Sequence, residues 1–369
     1  MKKILFVPAL MMFLVSCDSD SGSESNGDNF DREAMLTNWA DNIIIPAYEN
    51  VSAELAEMKS ATSTFTDAPN TANLTTLRSA WLDAYIAWQH VEMFEIGRAE
   101  EITLRNFINV YPLNAPDMES TLLSGDYDLT SVNRQDEQGF SAVDYLLHGV
   151  ADTDANIVAV YTDQTDGEKY KTYLTDVVGR METLVNDVLG DWKNGYRETF
   201  ISRSGSSATE SVNKMVNDYI FYYEKHLRAG KVGIPAGVFS SEKLSGHVEA
   251  RFRGDVSKQL LMQAIDAAQY FFNGKHFGSN EEGLSLNDYL DELNTLKDGE
   301  DLEFLINSQF AAARNQAQNL NDDLGVQVET DNTVMTKTYD ELQKNVVLMK
   351  VDMLQALNIR VDYVDADGD

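Results

Sequence analysis

Ser141, Asp144 and His148 stand three and seven residues apart, counted from the serine. On a helix turning about 100° per residue they fall within about 60° of one another, on one face. Asp144 and His148, at i and i+4, would meet side by side. Such a carboxylate–imidazole pair can ligate a divalent metal or pass a proton. It can also simply hydrogen-bond near a helix end, where the dipole favours a cation. The structural role is the commoner one and takes precedence here. Glu92 is a further candidate. It lies about 40° from Trp88 around its helix, at the edge of an apolar seam, as either a rim carboxylate or a ligand-facing one.

Other chemistries are absent from the pattern. There is no HExxH, no Gly-rich phosphate loop and no nucleophile elbow. The five histidines, His90, His148, His226, His247 and His276, form no i, i+4 pair among themselves. His90 sits about 200° from Trp88 and is expected in solvent. His226 and Arg228 are expected to close a helix, where cations suit the terminus.

The segment Gly139-Phe140-Ser141-Ala142-Val143-Asp144-Tyr145-Leu146-Leu147 resembles the signature of the imelysin family, peptidase family M75. That signature runs Gly-x-His-x-x-Glu and is followed by Tyr-Leu-Leu. Gly139 matches it, Ser141 stands where the family has His, and Asp144 stands where it has Glu. Trp88 to Phe94 (WQHVEMF) is similar to an earlier family helix, with Glu92 and Phe94 at the matching positions. Asn109 to Asn114 (NVYPLN) resembles the family's Asn-x-x-Pro-Leu-Asp turn. Lys231 to Gly237, Val248 to Gly274 and the closing Tyr363 to Asp369 resemble the lipoprotein branch. The resemblance implies two related four-helix bundles with the site between them, near the motif. Gly139, Ser141, Asp144, His148 and Glu92 would mark that site. Asp144, His148 and Glu92 are the available metal ligands, for Fe, Zn or Ca.

The elements that must position these residues read as helices throughout. Met35, Trp39, Ile43, Ala47, Val51, Leu55 and Met58 form one stripe, with Pro46 expected to kink it. Leu74, Leu77, Trp81, Ala84, Trp88 and Val91 form a second; Tyr170, Leu174, Val177, Met181, Leu184 and Val188 form a third. Further amphipathic stretches cover about 207–228, 254–273, 300–320 and 335–358. The fold class is all-α: two tandem up-and-down helical bundles, residues 30–160 and 161–369. Ala229 to Gly237 is too rich in Gly for a helix, and the C-terminal tail is acidic and extended.

Residues 1–16 carry the basic start and short apolar run of a secretory signal, too short to span a bilayer. Leu14-Val15-Ser16-Cys17 resembles a lipobox, which makes Cys17 the acylated N-terminus of the mature chain. It is the only cysteine, so no disulfide is expected. Residues 17–29, Ser-, Gly- and Asp-rich, form a tether. Asp365, Asp367 and Asp369 resemble the start of a calcium loop that lacks its later ligands. The net charge of −31 argues against nucleic acid and anionic lipid as partners. The expected partners are the membrane, through the lipid anchor, a metal or iron-containing ligand, and an envelope protein.

Three functions follow from this reading. The first is a non-catalytic envelope lipoprotein in iron or metal handling, with its ligand between the helical domains. The second is an M75-type metallopeptidase. It is disfavoured because a hydrolytic zinc site needs about three protein ligands and an open position. The third is a surface protein that docks a partner and keeps an inert site.

Overall fold

The computed structural model describes residues 29–363. Helices account for nearly all the regular structure in it, as the seams predict. Every residue of the first two stripes is buried, and only Tyr170 of the third stays half-exposed. The first helix starts at Arg32, where the Asp31 side chain accepts the Ala34 N–H. It runs through a π turn at Trp39–Ile44 into the long helix Ile45–Asp67.

That π turn is where the expected proline kink is resolved. Pro46 has no N–H to give the Asn42 carbonyl four residues back. The Ile45 N–H bonds instead to Ala40, one residue further than α-helical spacing. The freed Asn42 carbonyl accepts the Phe277 N–H at 2.7 Å, from the other half of the chain.

Helix Ile45–Asp67 packs against Thr71–Trp88 and Gly167–Asp191, with Asp154–Thr162 laid alongside. Asn70 caps the second of these by accepting two N–H groups at 3.0 Å. A second bundle brings together Ser257–Phe272, Leu302–Ala317, Asn332–Val347 and the π-helical segment Tyr222–Gly233. Contacts cross the boundary expected at 160/161. Gly167–Asp191 belongs to the first bundle, because its apolar seam is buried against Ile45–Asp67.

The N-terminal helix also crosses between halves. Asn38 donates to the carbonyls of Gly274 and Leu284, and Arg32 to the Tyr289 hydroxyl at 2.8 Å. One continuous apolar core results. The segment expected to be non-helical from Ala229 remains helical to Gly233. Its glycines serve close packing: a Cβ on Gly233 would meet the Tyr339 and Phe239 rings. No helix among the described residues is long and apolar enough to cross a membrane.

Candidate functional site

The motif helix Gly139–Asp144 begins on a glycine whose replacement would be strained. Gly139 has φ +75°, and a Cβ there would lie 2.3 Å from the Ile108 carbonyl oxygen, far inside contact distance. This close approach sets the helix against the 104–110 segment. Ser141 then donates its hydroxyl to the Val110 carbonyl at 2.6 Å.

Asp144 is 1% exposed, and both its carboxylate oxygens are committed. Oδ2 accepts the Phe252 N–H at 2.8 Å and Oδ1 the Arg253 N–H at 3.0 Å. His148 Nδ1 lies 3.0 Å from Oδ1, the i, i+4 pair anticipated from spacing, and 3.1 Å from the Asp144 carbonyl oxygen. The imidazole packs on Trp81 with ring centroids 5.2 Å apart, and its buried Nε2 has no hydrogen-bond partner. Asp144 thus acts as a clasp. It fastens the 250–253 loop of the C-terminal half to the motif helix, and the Phe252 ring, set edge-on against Tyr145 at 4.9 Å, seals the joint.

Glu92 does not join this pair. It lies in the turn after helix Thr71–Trp88, 3% exposed, at a separate ionic centre. Asn109 Nδ2 donates to Glu92 Oε1 at 2.9 Å and to Glu249 Oε1 at 2.8 Å. Gln89 adds a longer bond to Glu249 Oε1, and Tyr85 holds Asn109 in place with a 2.6 Å bond to its carbonyl oxygen. Lys231, on the π-helical segment, places its ammonium 2.6 Å from Glu249 Oε2 and 3.6 Å from Glu92 Oε2. Two carboxylates therefore share one ammonium away from solvent. Burial raises the Glu92 carboxyl above its ordinary range; Lys231 opposes the shift and Glu249 reinforces it. Glu92 Oε2 accepts no hydrogen bond.

A second buried cation flanks this centre. Arg105 donates to the Glu92 carbonyl at 2.8 Å and pairs with Glu95 and Asp218, each at 3.1 Å. His226 is half-buried nearby and, lying inside the segment Tyr222–Gly233, does not close a helix as expected. Desolvation, with the charges of Arg105 and Lys231, drives its imidazole well below the usual range. His90 is likewise not in open solvent. It is half-buried, edge-on to Phe277 at 5.5 Å.

Among the described residues no three His, Cys, Asp or Glu side chains converge as a metal site. Asp144 and His148 stay together, while Glu92 faces Lys231 and Glu249. In chemical terms the first cluster is a hydrogen-bonded clasp, and the second is a centre able to hold a proton or a cation between two carboxylates. Cys17 and the aspartates of the closing tail lie outside the described residues. Sequence reasoning missed Lys231, Glu249, Asn109 and Gln89 as site residues. Each falls in a segment that carried the family resemblance, which was the available signal. No spacing connects positions 92, 109, 231 and 249.

Comparison with known proteins places this geometry in a family. Residues 44–349 match the imelysin (peptidase M75) family model. Iron-regulated protein A of Synechococcus elongatus is 23% identical over 244 residues, which is 62% of this chain. The matched region spans 61% of that relative's length. A crystal structure from Parabacteroides distasonis, described as an iron-regulated protein A precursor, superposes with a TM-score of 0.68 at 16% identity. It covers 89% of this chain and 97% of its own. An imelysin-like protein from Psychrobacter arcticum gives a TM-score of 0.67 at 17% identity, covering 91% of this chain and 99% of its own. These two likenesses establish the fold, and the family match over most of the chain establishes that this protein belongs to the imelysin family.

Proposed function

We propose that this protein is a non-catalytic binding lipoprotein of the cell envelope, exported, anchored through Cys17 and serving iron or metal handling. The observation that carries the non-catalytic reading is the state of the motif. Ser141 and both oxygens of Asp144 are spent on backbone groups. A hydrolytic metal needs about three ligands, an open position for water and a base. Recruiting Asp144 to a metal would release the 250–253 loop. The iron connection comes from the name of the Synechococcus relative and from family membership. The ligand is assigned to the junction of the two halves, where Asp144 clasps the loop and Lys231 joins Glu92 to Glu249.

The test has two arms. Purified protein is screened against a peptide library with and without chelator, and no cleavage is expected. Chelator-sensitive cleavage that disappears in Asp144→Ala would establish the M75-type peptidase instead. A deletion strain is grown under iron limitation, with a drop in cellular iron as the expected result. Unchanged iron content and unchanged abundance of the protein in the wild type would remove the iron assignment and leave a partner-docking role.

A further inference from the structure

Away from the motif, a cleft of about 390 Å³ opens between the π turn at Trp39–Ile44 and the loop that follows helix Ser257–Phe272. This volume falls within the ordinary range for small-molecule sites. The apolar part of its lining is aromatic. Phe94 and Phe271 meet edge to face at 5.2 Å, and Phe277 closes the side next to His90. The polar part is basic or neutral: His90, Lys275 and His276, with loop residues of the 278–280 turn.

Two features give this cleft a preferred charge. No lining residue is acidic, although 60 of the chain's 369 residues are Asp or Glu. The Lys275 ammonium sits 4.0 Å above the Tyr270 ring, and no carboxylate among the described residues pairs with it. His276 is held near Glu281 at 3.6 Å, whose side chain is 82% exposed. Burial lowers the His90 imidazole below its ordinary range, against the hydrogen bond it donates to Gln263 and the charge of Asp266.

The walls are also preformed. The Phe277 N–H is fixed to the Asn42 carbonyl freed by Pro46. The Lys275 N–H bonds to the Tyr270 carbonyl at 2.9 Å, and the His276 N–H to that of Glu281 at 2.9 Å. The π turn therefore does more than relieve a proline. It supplies the acceptor that anchors the opposite wall, a use consistent with the frequent placement of π-bulges at functional sites.

We propose that this cleft is a binding site for a small planar aromatic anion, a one- or two-ring carboxylate or sulfonate. Its rings would lie among Phe94, Phe271 and Phe277, with its charge on Lys275. Aromatic faces and edges favour flat ligands over bulky aliphatic ones of equal size. A single ammonium with no carboxylate partner among the described residues favours a monoanion.

The test uses 2-naphthalenesulfonate, a fluorescent planar two-ring anion, as probe dye and 2-methylnaphthalene as the uncharged counterpart dye, each titrated by fluorescence into the purified protein. The anion is expected to bind at one equivalent. Lys275→Gln should weaken it about tenfold, the effect of one charge-assisted contact, while changing the neutral dye less than twofold. Ser279→Trp, at an exposed rim position, should block both dyes. Unfolding curves matching wild type exclude dye uptake by a loosened fold, and Asn280→Trp is the second plug should the first fail to fold. Binding at several equivalents, binding indifferent to both plugs, equal affinity for the two dyes, or no binding at all would each overturn the proposal.

Discussion

Replacing Lys231 by Met removes the one ammonium that Glu92 and Glu249 share, at 3.6 and 2.6 Å, and leaves two carboxylates buried around an apolar tip. Breaking a buried ion pair from one side costs about 3–5 kcal/mol, mostly the desolvation of the abandoned charge. That cost should depend on pH with a definite sign. The folded-state pKa of Glu92 already lies above its unfolded value. Its favourable contribution is therefore complete below the ordinary carboxylate range and is lost as pH rises through the raised folded value. Lys231 holds that value down, so Lys231→Met raises it further. Over the widened window the folded variant keeps a proton that the unfolded chain has released, worth up to about 1.4 kcal/mol per pH unit. Urea unfolding at pH 5, 6, 7 and 8 should show a small deficit at pH 5 that grows to the full loss by pH 8. The double variant Lys231→Met/Glu249→Gln should recover at least half of the pH 8 deficit, because one buried charge has gone. A deficit constant from pH 5 to 8, or strict additivity of the two changes, would refute a shared ionic centre and reduce Lys231 to a packing residue.

Three further outcomes follow from the same geometry. Gly139→Ala should cost at least about 2 kcal/mol, since it combines a positive φ with a clash on the Ile108 carbonyl, and denaturant unfolding measures it. Asp144→Ala should cost about 2–4 kcal/mol and speed hydrogen exchange at the Phe252 and Arg253 amides. Unchanged exchange there would remove the clasp. Cys17→Ser should release the protein from the membrane fraction, and mass spectrometry of the wild-type N-terminal peptide should find acyl chains on Cys17.

What the amino-acid order determined by itself is the part governed by local periodicity. The stripes through Trp39, Trp81 and Val177 are buried because residues three and four apart share a helix face, whatever that face later meets. The Asp144–His148 contact is of the same kind, one helical turn closing on itself. Gly139 was legible too, as the matching glycine of the family motif, though its positive φ was not. Tertiary structure decided which candidates belong together. Glu92 could not be separated from Asp144 and His148 in the sequence, because nothing local records that its partners are Lys231 and Glu249, 139 and 157 positions away. The partner of the third stripe was hidden for a related reason. The seam of Gly167–Asp191 states that a face is buried, but only packing against Ile45–Asp67 states against what. The π turns were equally hidden, since one extra residue in a turn is stabilised by what it frees for distant partners, as Asn42 does for Phe277. Helical seams specify burial without naming the partner; the partner is chosen by the shape and charge of surfaces that exist only once the helices have packed.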